Sequence, residues 1–510
     1  MWGLRSSRTA VVGISAAAFV VSSVLPLGYM LAQSVTSGAG QAAVLLLDAR
    51  QRALLVTTAL LGTGTAILAT IIGAPLGLIL ARVAVPFKPA LRVALAAPLA
   101  LPPYVAGLAW VYLGGPWTYS LPGAILVLSF VLYPLSMLAT EVALRRIEPR
   151  LEEAGLVVAS PGRVLRRITV PLAAPAVAAA ALVIFVLAVS EFAVPGLLRV
   201  RVFTTEVFTA FAALYDFSRA TLVALPLLGL SILVAVVAAL LAGGRLVVTR
   251  RGLTTAQPLV FDGWERWASV AAVGVLALAL AAPLAVLTRE ALGVSSAAAV
   301  LEGSRAAIVN SLVLAAVGAT LVTLIGTWLG YARARATRRS GVAADVLFIV
   351  LFAVPSTIVG VGLIGLWNRE GLLGRIYGTD GMLLLVYLAR FLPVAALALA
   401  AAVRYVPTSH EEAASVGGAG WWRTMSRIVL PEIKLGLLAT WIVVFILAFG
   451  ELGASILVAP PGEATLPIRI YTIIANTPPA HVAALALLQS AVVLSPLVLL
   501  ALGVAIRRAR

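Results

Sequence analysis

Uninterrupted apolar runs of about 20 residues, enough to carry a helix across roughly 30 Å of hydrocarbon, recur along this chain from end to end. We place them near 9–33, 53–81, 93–113, 121–140, 172–192, 221–242, 268–288, 307–331, 344–366, 381–401, 435–452 and 482–506. Inside a bilayer each backbone N–H and C=O must find a partner within the protein, which leaves helices or closed barrels. Barrel strands are short and alternate in polarity, whereas these runs are long and apolar on every side. The expected fold is therefore all-α and polytopic, with about twelve transmembrane helices. A content of 62% hydrophobic and 11% charged residues agrees. So does a mean hydropathy of +1.08, far from the balance of soluble domains.

The formal net charge of +17 does not point to nucleic acid, because the cations are placed by topology. Arginines crowd alternate connections, as at Arg145, Arg146 and Arg150, at Arg163, Arg166 and Arg167, and at Arg333, Arg335, Arg338 and Arg339. That asymmetry puts those connections and both termini in the cytoplasm. The lack of cysteine excludes disulfides, thiolate metal sites and cysteine nucleophiles. Arg5 and Arg8 precede a long apolar run with no small-residue cleavage site, so the first segment reads as an uncleaved helix.

The chain repeats itself at a spacing of roughly 255 residues. "LPPYVAG" (Leu101 to Gly107) answers to "VPSTIVG" (Val354 to Gly360), "LEEAG" to "HEEAA", "ITVP" (Ile168 to Pro171) to "IVLP" (Ile428 to Pro431), and "SEF" (Ser190 to Phe192) to "GEL" (Gly450 to Leu452). Matched alanines and leucines carry little weight in membrane helices; the polar and proline landmarks do, because they keep their order. We expect two tandem six-helix repeats, 1–242 and 268–510, with the same orientation. A basic cytoplasmic linker, 243–267, joins them.

Each half carries one polar island between its fourth and fifth spans. In the second, "HEEAASVGGAGWWRTMSRIVLP" (His410 to Pro431), helix formers follow an exposed carboxylate pair placed to favour a helix start. "GGAG" ends that helix and allows close backbone approach, the tryptophans serve as interfacial anchors, and Pro431 opens the next membrane helix. A plain connection needs only a few polar residues, so islands of this length point either to function or to an interfacial helix held by Trp and Arg anchors.

This island resembles the EAA loop in permease subunits of binding-protein-dependent ABC importers. The family pattern is Glu-Ala-Ala, three residues, Gly, nine residues, Ile-x-Leu-Pro, and Glu412, Ala413, Ala414, Gly418, Ile428, Leu430 and Pro431 all match it. The first copy is degenerate. Glu153 and Ala154 match, Gly155 replaces the second Ala, Ala159 takes the place of the Gly, and the stretch before Ile168 is one residue shorter.

The resemblance implies that each island forms a coupling helix seated on an ATP-binding subunit. One chain would then serve an ATPase dimer, with an extracytoplasmic binding protein delivering the solute. The implied coupling residues are Glu152, Glu153, Ala154, Ala159, Glu411, Glu412, Ala413, Ala414 and Gly418. The location implied is the bacterial inner membrane, in multi-pass form.

The chain has no phosphate-cradling G-x-x-x-x-G-K-[ST] loop of its own, so ATP hydrolysis is expected in a separate subunit. It also lacks HExxH and G-x-S-x-G patterns, and no catalytic residue, metal site or cofactor is expected. Glu191 and Glu451, repeat mates near the outer ends of the fifth spans, are candidates for the translocation path, with capping or helix packing as the alternative. Arg390 is a further intramembrane charge whose partner the sequence does not identify. The stretches "LPPYVAGLAW", "FTTEVF" and "TLPIRIY" look most like the ferric-iron branch, with the thiamine branch next. A secondary transporter would account for the duplication but not for the islands.

Overall fold

A computed structural model describes residues 2–36, 48–214, 216–243, 264–371, 373–462 and 465–509. Every regular element among them is a helix. The first half holds α1 (Ser7–Ser34), α2 (Ala49–Arg82), α3 (Lys88–Ala100), α4 (Pro103–Thr118), α5 (Leu121–Arg145), α6 (Pro149–Val158), α7 (Pro161–Ser190) and α8 (Phe217–Gly243). The second holds α9 (Arg266–Ala291), α10 (Arg305–Ala334), α11 (Arg338–Ala353), α12 (Ser356–Trp367), α13 (Gly381–Arg404), α14 (Thr408–Val416), α15 (Trp421–Glu432), α16 (Lys434–Phe449) and α17 (Pro479–Ala509). Among the described residues nine helices are long and apolar enough to cross a membrane, or up to twelve spans if each of three bent pairs is one. The expected all-α polytopic fold is thus observed. Most of the expected linker, residues 244–263, lies outside the described residues.

Two of the expected spans are not straight. The one near 93–113 bends by 93° between α3 and α4, and its repeat mate near 344–366 bends by 94° between α11 and α12. The cause is local. Leu101 and Val354 each precede a proline, a position that disfavours helical backbone, and they are extended at ψ 130° and 127°. Pro102 and Pro355 continue extended at ψ 131° and 140°, so two non-helical residues turn the chain at each site. The repeated motifs at Leu101 and Val354 are these corners. Arg390 finds a partner at the second, donating from Nη1 to the Val354 carbonyl at 3.2 Å.

Other irregularities recur at matching places. Wide π turns lie at Val20–Val24 and Ala277–Ala281 in the first helix of each half. Two more lie in the second helical part of the islands, at Leu165–Thr169 and Met425–Val429. Such turns interrupt the regular hydrogen-bond ladder and are retained where they serve a purpose. The halves differ beyond that point: α7 runs unbroken to Ser190, whereas α15 and α16 bend by 71° about Ile433.

Spatial compactness divides the chain differently from the repeat. One unit comprises Met1–Leu47, Glu206–Ile232 and Glu302–Tyr471; the other comprises Asp48–Thr205, Leu233–Leu301 and Thr472–Arg510. In the first unit α10 packs along α13 and α16, and α1 packs on α10 and α12. In the second, α2 packs along α5 and α7, while α9 packs on α4 and α17. The opening helix of each half therefore belongs to the unit built around the other half's core.

Within the membrane, water exclusion gives no drive for helices to associate, so close van der Waals packing between small residues matters most. A Gly-x-x-x-Gly pair supplies it in each unit. A methyl group on Gly73 or Gly77 would strike the backbone of α5 at Tyr133 and Met137; on Gly330 it would strike the backbone of α13 at Ala400, and on Gly326 the Ala395 Cβ at 2.8 Å.

The charge asymmetry makes a direct prediction about sidedness. Because the chain has no native cysteine, single cysteines report without background. With Ser409→Cys, beside the second island, an impermeant thiol reagent will leave intact cells unlabelled, whereas Thr379→Cys, exposed before α13, will label rapidly. Fast external labelling at Ser409 contradicts the orientation.

Candidate functional site

Each island folds as a short helix, a break and a second helix leading into the fifth span. In the second island α14 ends at Val416, and the following backbone closes it with Gly417 N–H to the Ala413 carbonyl at 3.0 Å and Ala419 N–H to the Ala414 carbonyl at 2.9 Å. Gly418 sits at φ +74°, in the left-handed region where a Cβ is strained. Nothing lies within 4 Å of where that Cβ would be, so the glycine serves the turn and not the close approach expected from "GGAG".

Gly418→Ala will therefore cost about 1 kcal/mol locally without a clash. Limited proteolysis after the island helix should speed up while the membrane part stays intact; unchanged cleavage would contradict the turn's role.

The first island solves the same problem without a glycine. Ala159 is extended, at φ −147° and ψ 153°, and leads into Ser160 and Pro161. Gly155, where the family pattern has Ala, leaves room for packing: a Cβ there would lie 2.9 Å from Ile168 Cδ1 and 3.1 Å from Val164 Cγ2.

The expected exposed carboxylate pair is only half exposed. Successive helical residues point about 100° apart, so one of two adjacent glutamates faces the bundle and the other faces away. Glu153 and Glu412 are exposed, as are Ala154, Ala413 and Gly418; Ala159 and Ala414 are half-buried. Glu152 is 4% exposed and pairs with Arg82, itself 1% exposed, with Nη2 to Oε2 at 3.1 Å. The same carboxylate accepts a bond from the Thr169 hydroxyl at 2.7 Å, and Arg82 also donates to the Leu144 carbonyl at 2.6 Å.

Glu411 repeats the arrangement. Arg335 Nε donates to it at 2.8 Å, the Tyr331 hydroxyl donates to it at 2.8 Å, and Arg335 donates also to the Val406 carbonyl at 2.9 Å. Removing one member of a buried pair leaves an uncompensated charge and costs about 3–5 kcal/mol. A further link, His410 Nδ1 to Glu432 at 2.8 Å, joins α14 to the end of α15.

One other residue departs from expectation. Trp421 is not an interfacial anchor but packs its ring 5.4 Å from Trp328 and 6.4 Å from Tyr331, against the end of α10. Trp422 remains 52% exposed. The most exposed apolar residues of the islands, Val157 at 84% and Val416 at 90%, are not among the coupling residues that the sequence implies. They are repeat mates, and a valine at the same place in two polar connections was the available signal.

Glu191 and Glu451 lie just past the ends of the fifth helices. Glu191 accepts from the Ala193 amide at 2.9 Å; Glu451 accepts from the amides of Ala454 and Ser455 at 3.0 and 2.9 Å and from the Ser455 hydroxyl. Each carboxylate caps the short helix that follows, where unpaired N–H groups favour a negative partner. Among the described residues no group of three or more His, Cys, Asp or Glu is placed to hold a metal ion.

The architecture of two six-span halves, each with one such island, has a counterpart. The family model described as binding-protein-dependent transport system inner membrane component matches residues 73–247 and 322–509, one island in each segment. The chain belongs to this family. It is thus a multi-pass membrane permease of an ABC importer, the transport component and not the ATPase.

Among its relatives, the Fe(3+)-transport system permease protein FbpB 2 of Haemophilus influenzae is 24% identical over 457 residues, covering 88% of this chain and 89% of that protein. A putative ferric transport system permease protein, FbpB 1, of the same organism is 23% identical over 74% of this chain and 64% of its own length. A putative 2-aminoethylphosphonate transport system permease protein of Salmonella typhimurium is 26% identical over 33% of this chain and 62% of its own length.

Proposed function

We propose that this permease imports ferric iron into bacteria across the inner membrane, driven by a separate dimer of ATP-binding subunits and supplied by an extracytoplasmic binding protein. The observation that carries the substrate is the nearly full-length similarity to a Fe(3+)-transport permease, set against similarity over a third of the chain to a phosphonate permease. The ion would be cargo handed from the binding protein, so the path needs no tight ligand set, and strong retention would slow release.

Coupling runs through the two islands. An ATPase surface closes on α6 and α14, burying Val157 and Val416 and meeting Glu153 and Glu412, while the breaks at Ala159 and Gly418 fix the angle of each helix. Since α7 and the α15–α16 pair begin within the islands, directly after the breaks, displacement of an island passes into the fifth helix of its half. Glu191 and Glu451 are assigned to the outer part of the path. Gln at both positions keeps an oxygen for each cap and removes the charge, so reduced iron uptake with normal protein level would support that assignment.

A thiamine importer would favour free aromatic surfaces for an organic cation. Two aromatics of the "LPPYVAGLAW" stretch that could offer such a surface are occupied: Tyr104 is buried and hydrogen-bonded to Gln489, and Trp110 stacks on Phe130 at 5.5 Å. Reconstitution with the cognate ATPase and binding protein, followed by competition between labelled iron, thiamine and 2-aminoethylphosphonate, tests the assignment. ATP-dependent iron import is expected. Import of another solute without iron would refute the substrate and leave the permease untouched.

A further inference from the structure

We propose that Arg82 and Arg335 are positioning residues that clamp the two coupling helices to the membrane bundle, so that an island moves as one body with the end of its second helix. The inference rests on the coupling role proposed above and adds to it the device that keeps the island from yielding when pushed.

The two clamps share a construction. Each arginine lies at the last turn of a long helix, α2 or just past α10, and the two are 253 positions apart, the offset at which Gly73 and Gly77 match Gly326 and Gly330. Each takes the first glutamate of an island pair, Glu152 or Glu411, and each spends a second N–H on a carbonyl at the end of the fourth long span, Leu144 or Val406. One guanidinium thus ties three elements together: the second helix, the end of the fourth span and the island helix. A planar fork of fixed donors suits this task; a lysine would supply the charge without the geometry.

The clamps also differ in a way that follows the helices beyond them. In the first half Glu152 is held in addition by Thr169, on the unbroken α7, so the island is tied forward to the fifth helix. In the second half Glu411 is held by Tyr331, back on α10, and the forward tie is His410 to Glu432, ahead of the 71° bend at Ile433.

A lubricated joint would give the opposite layout. Coupling helices that pivot need exposed, exchangeable contacts, whereas Glu152 and Arg82 are 4% and 1% exposed and Glu411 and Arg335 are largely covered. Exposed pairs are weak and salt-screened; covered ones, with every carboxylate oxygen bonded, hold one geometry.

The test uses the full chain in complex with its ATPase in lipid. Spin labels on cysteines at Ala413, exposed on α14, and Arg339, exposed at the start of α11, report the distance between island and bundle. No native cysteine interferes. In the parent the distance distribution should be narrow and the same with and without ATP. Glu411→Gln, which keeps the shape and removes the charge, should roughly double its width, Arg335→Ala more so, and Arg335→Lys should recover only part.

An unchanged distribution in Glu411→Gln overturns the clamp, as does full recovery by lysine. If Arg335→Ala fails to accumulate, the glutamine and lysine variants decide alone. Val157→Asp combined with Val416→Asp separates the two levels of inference: if it leaves ATPase binding intact, the coupling role itself fails; if it abolishes binding while Glu411→Gln changes nothing, only the clamp fails.

Discussion

Gly73→Val combined with Gly77→Val will leave almost no permease in the membrane. Both positions lie where α2 and α5 touch, and a Cβ at either meets main-chain atoms of α5, which cannot rotate away as a side chain can. Ordinary overpacking costs about 1–3 kcal/mol per site, and contacts against backbone lie at or above the top of that range. Two such sites remove a large share of the roughly 5–15 kcal/mol that holds a typical protein together. Gly13→Val is the control, since nothing lies within 4 Å of a Cβ there. Quantifying membrane-inserted protein by immunoblot, we expect at least a tenfold drop for the double variant against little change for Gly13→Val. Equal levels would show that the α2–α5 contact does not govern folding.

The second large effect concerns assembly. Val157→Asp with Val416→Asp will accumulate normally and fail to hold an ATPase. An exposed valine adds little to the fold, but burying one against a partner is worth about 1.5–3 kcal/mol, or roughly 10- to 100-fold in affinity at each island. Aspartate forfeits that gain and places a charge in the contact. Co-purification of the ATPase should fall by more than 100-fold in the double variant and by less in either single one. Retained ATPase with full uptake would exclude these residues from docking.

The membrane class, the duplication and the islands are legible in the sequence because each rests on a strong local signal: run length, ordered prolines and glutamates, a spaced motif. The corners at Leu101 and Val354 were in plain view as repeat landmarks, yet hydropathy hides them, since an apolar run stays apolar through a right-angle bend. Gly73, Gly77, Gly326 and Gly330 have the spacing of helix contacts, but their partners come from helices far along the chain. Glu152 and Glu153 look alike in a string of letters; only helix phase and the facing arginine separate the buried one from the exposed one. The membership of α1 and α9 in units built on the opposite half's helices is not written in any local pattern, because it depends on which helices each packs against.

Under the proposed function both islands dock an ATPase from the cytoplasmic side. Cysteines placed singly at Val157 and Val416, and at Thr379 as the external control, can be joined to a bound partner by a short bifunctional thiol reagent in inverted membrane vesicles. The account predicts that both island positions capture an ATP-binding subunit, each more strongly when nucleotide holds the dimer closed, and that Thr379 captures none. Capture at neither island, from vesicles that still carry out ATP-dependent import, would contradict it.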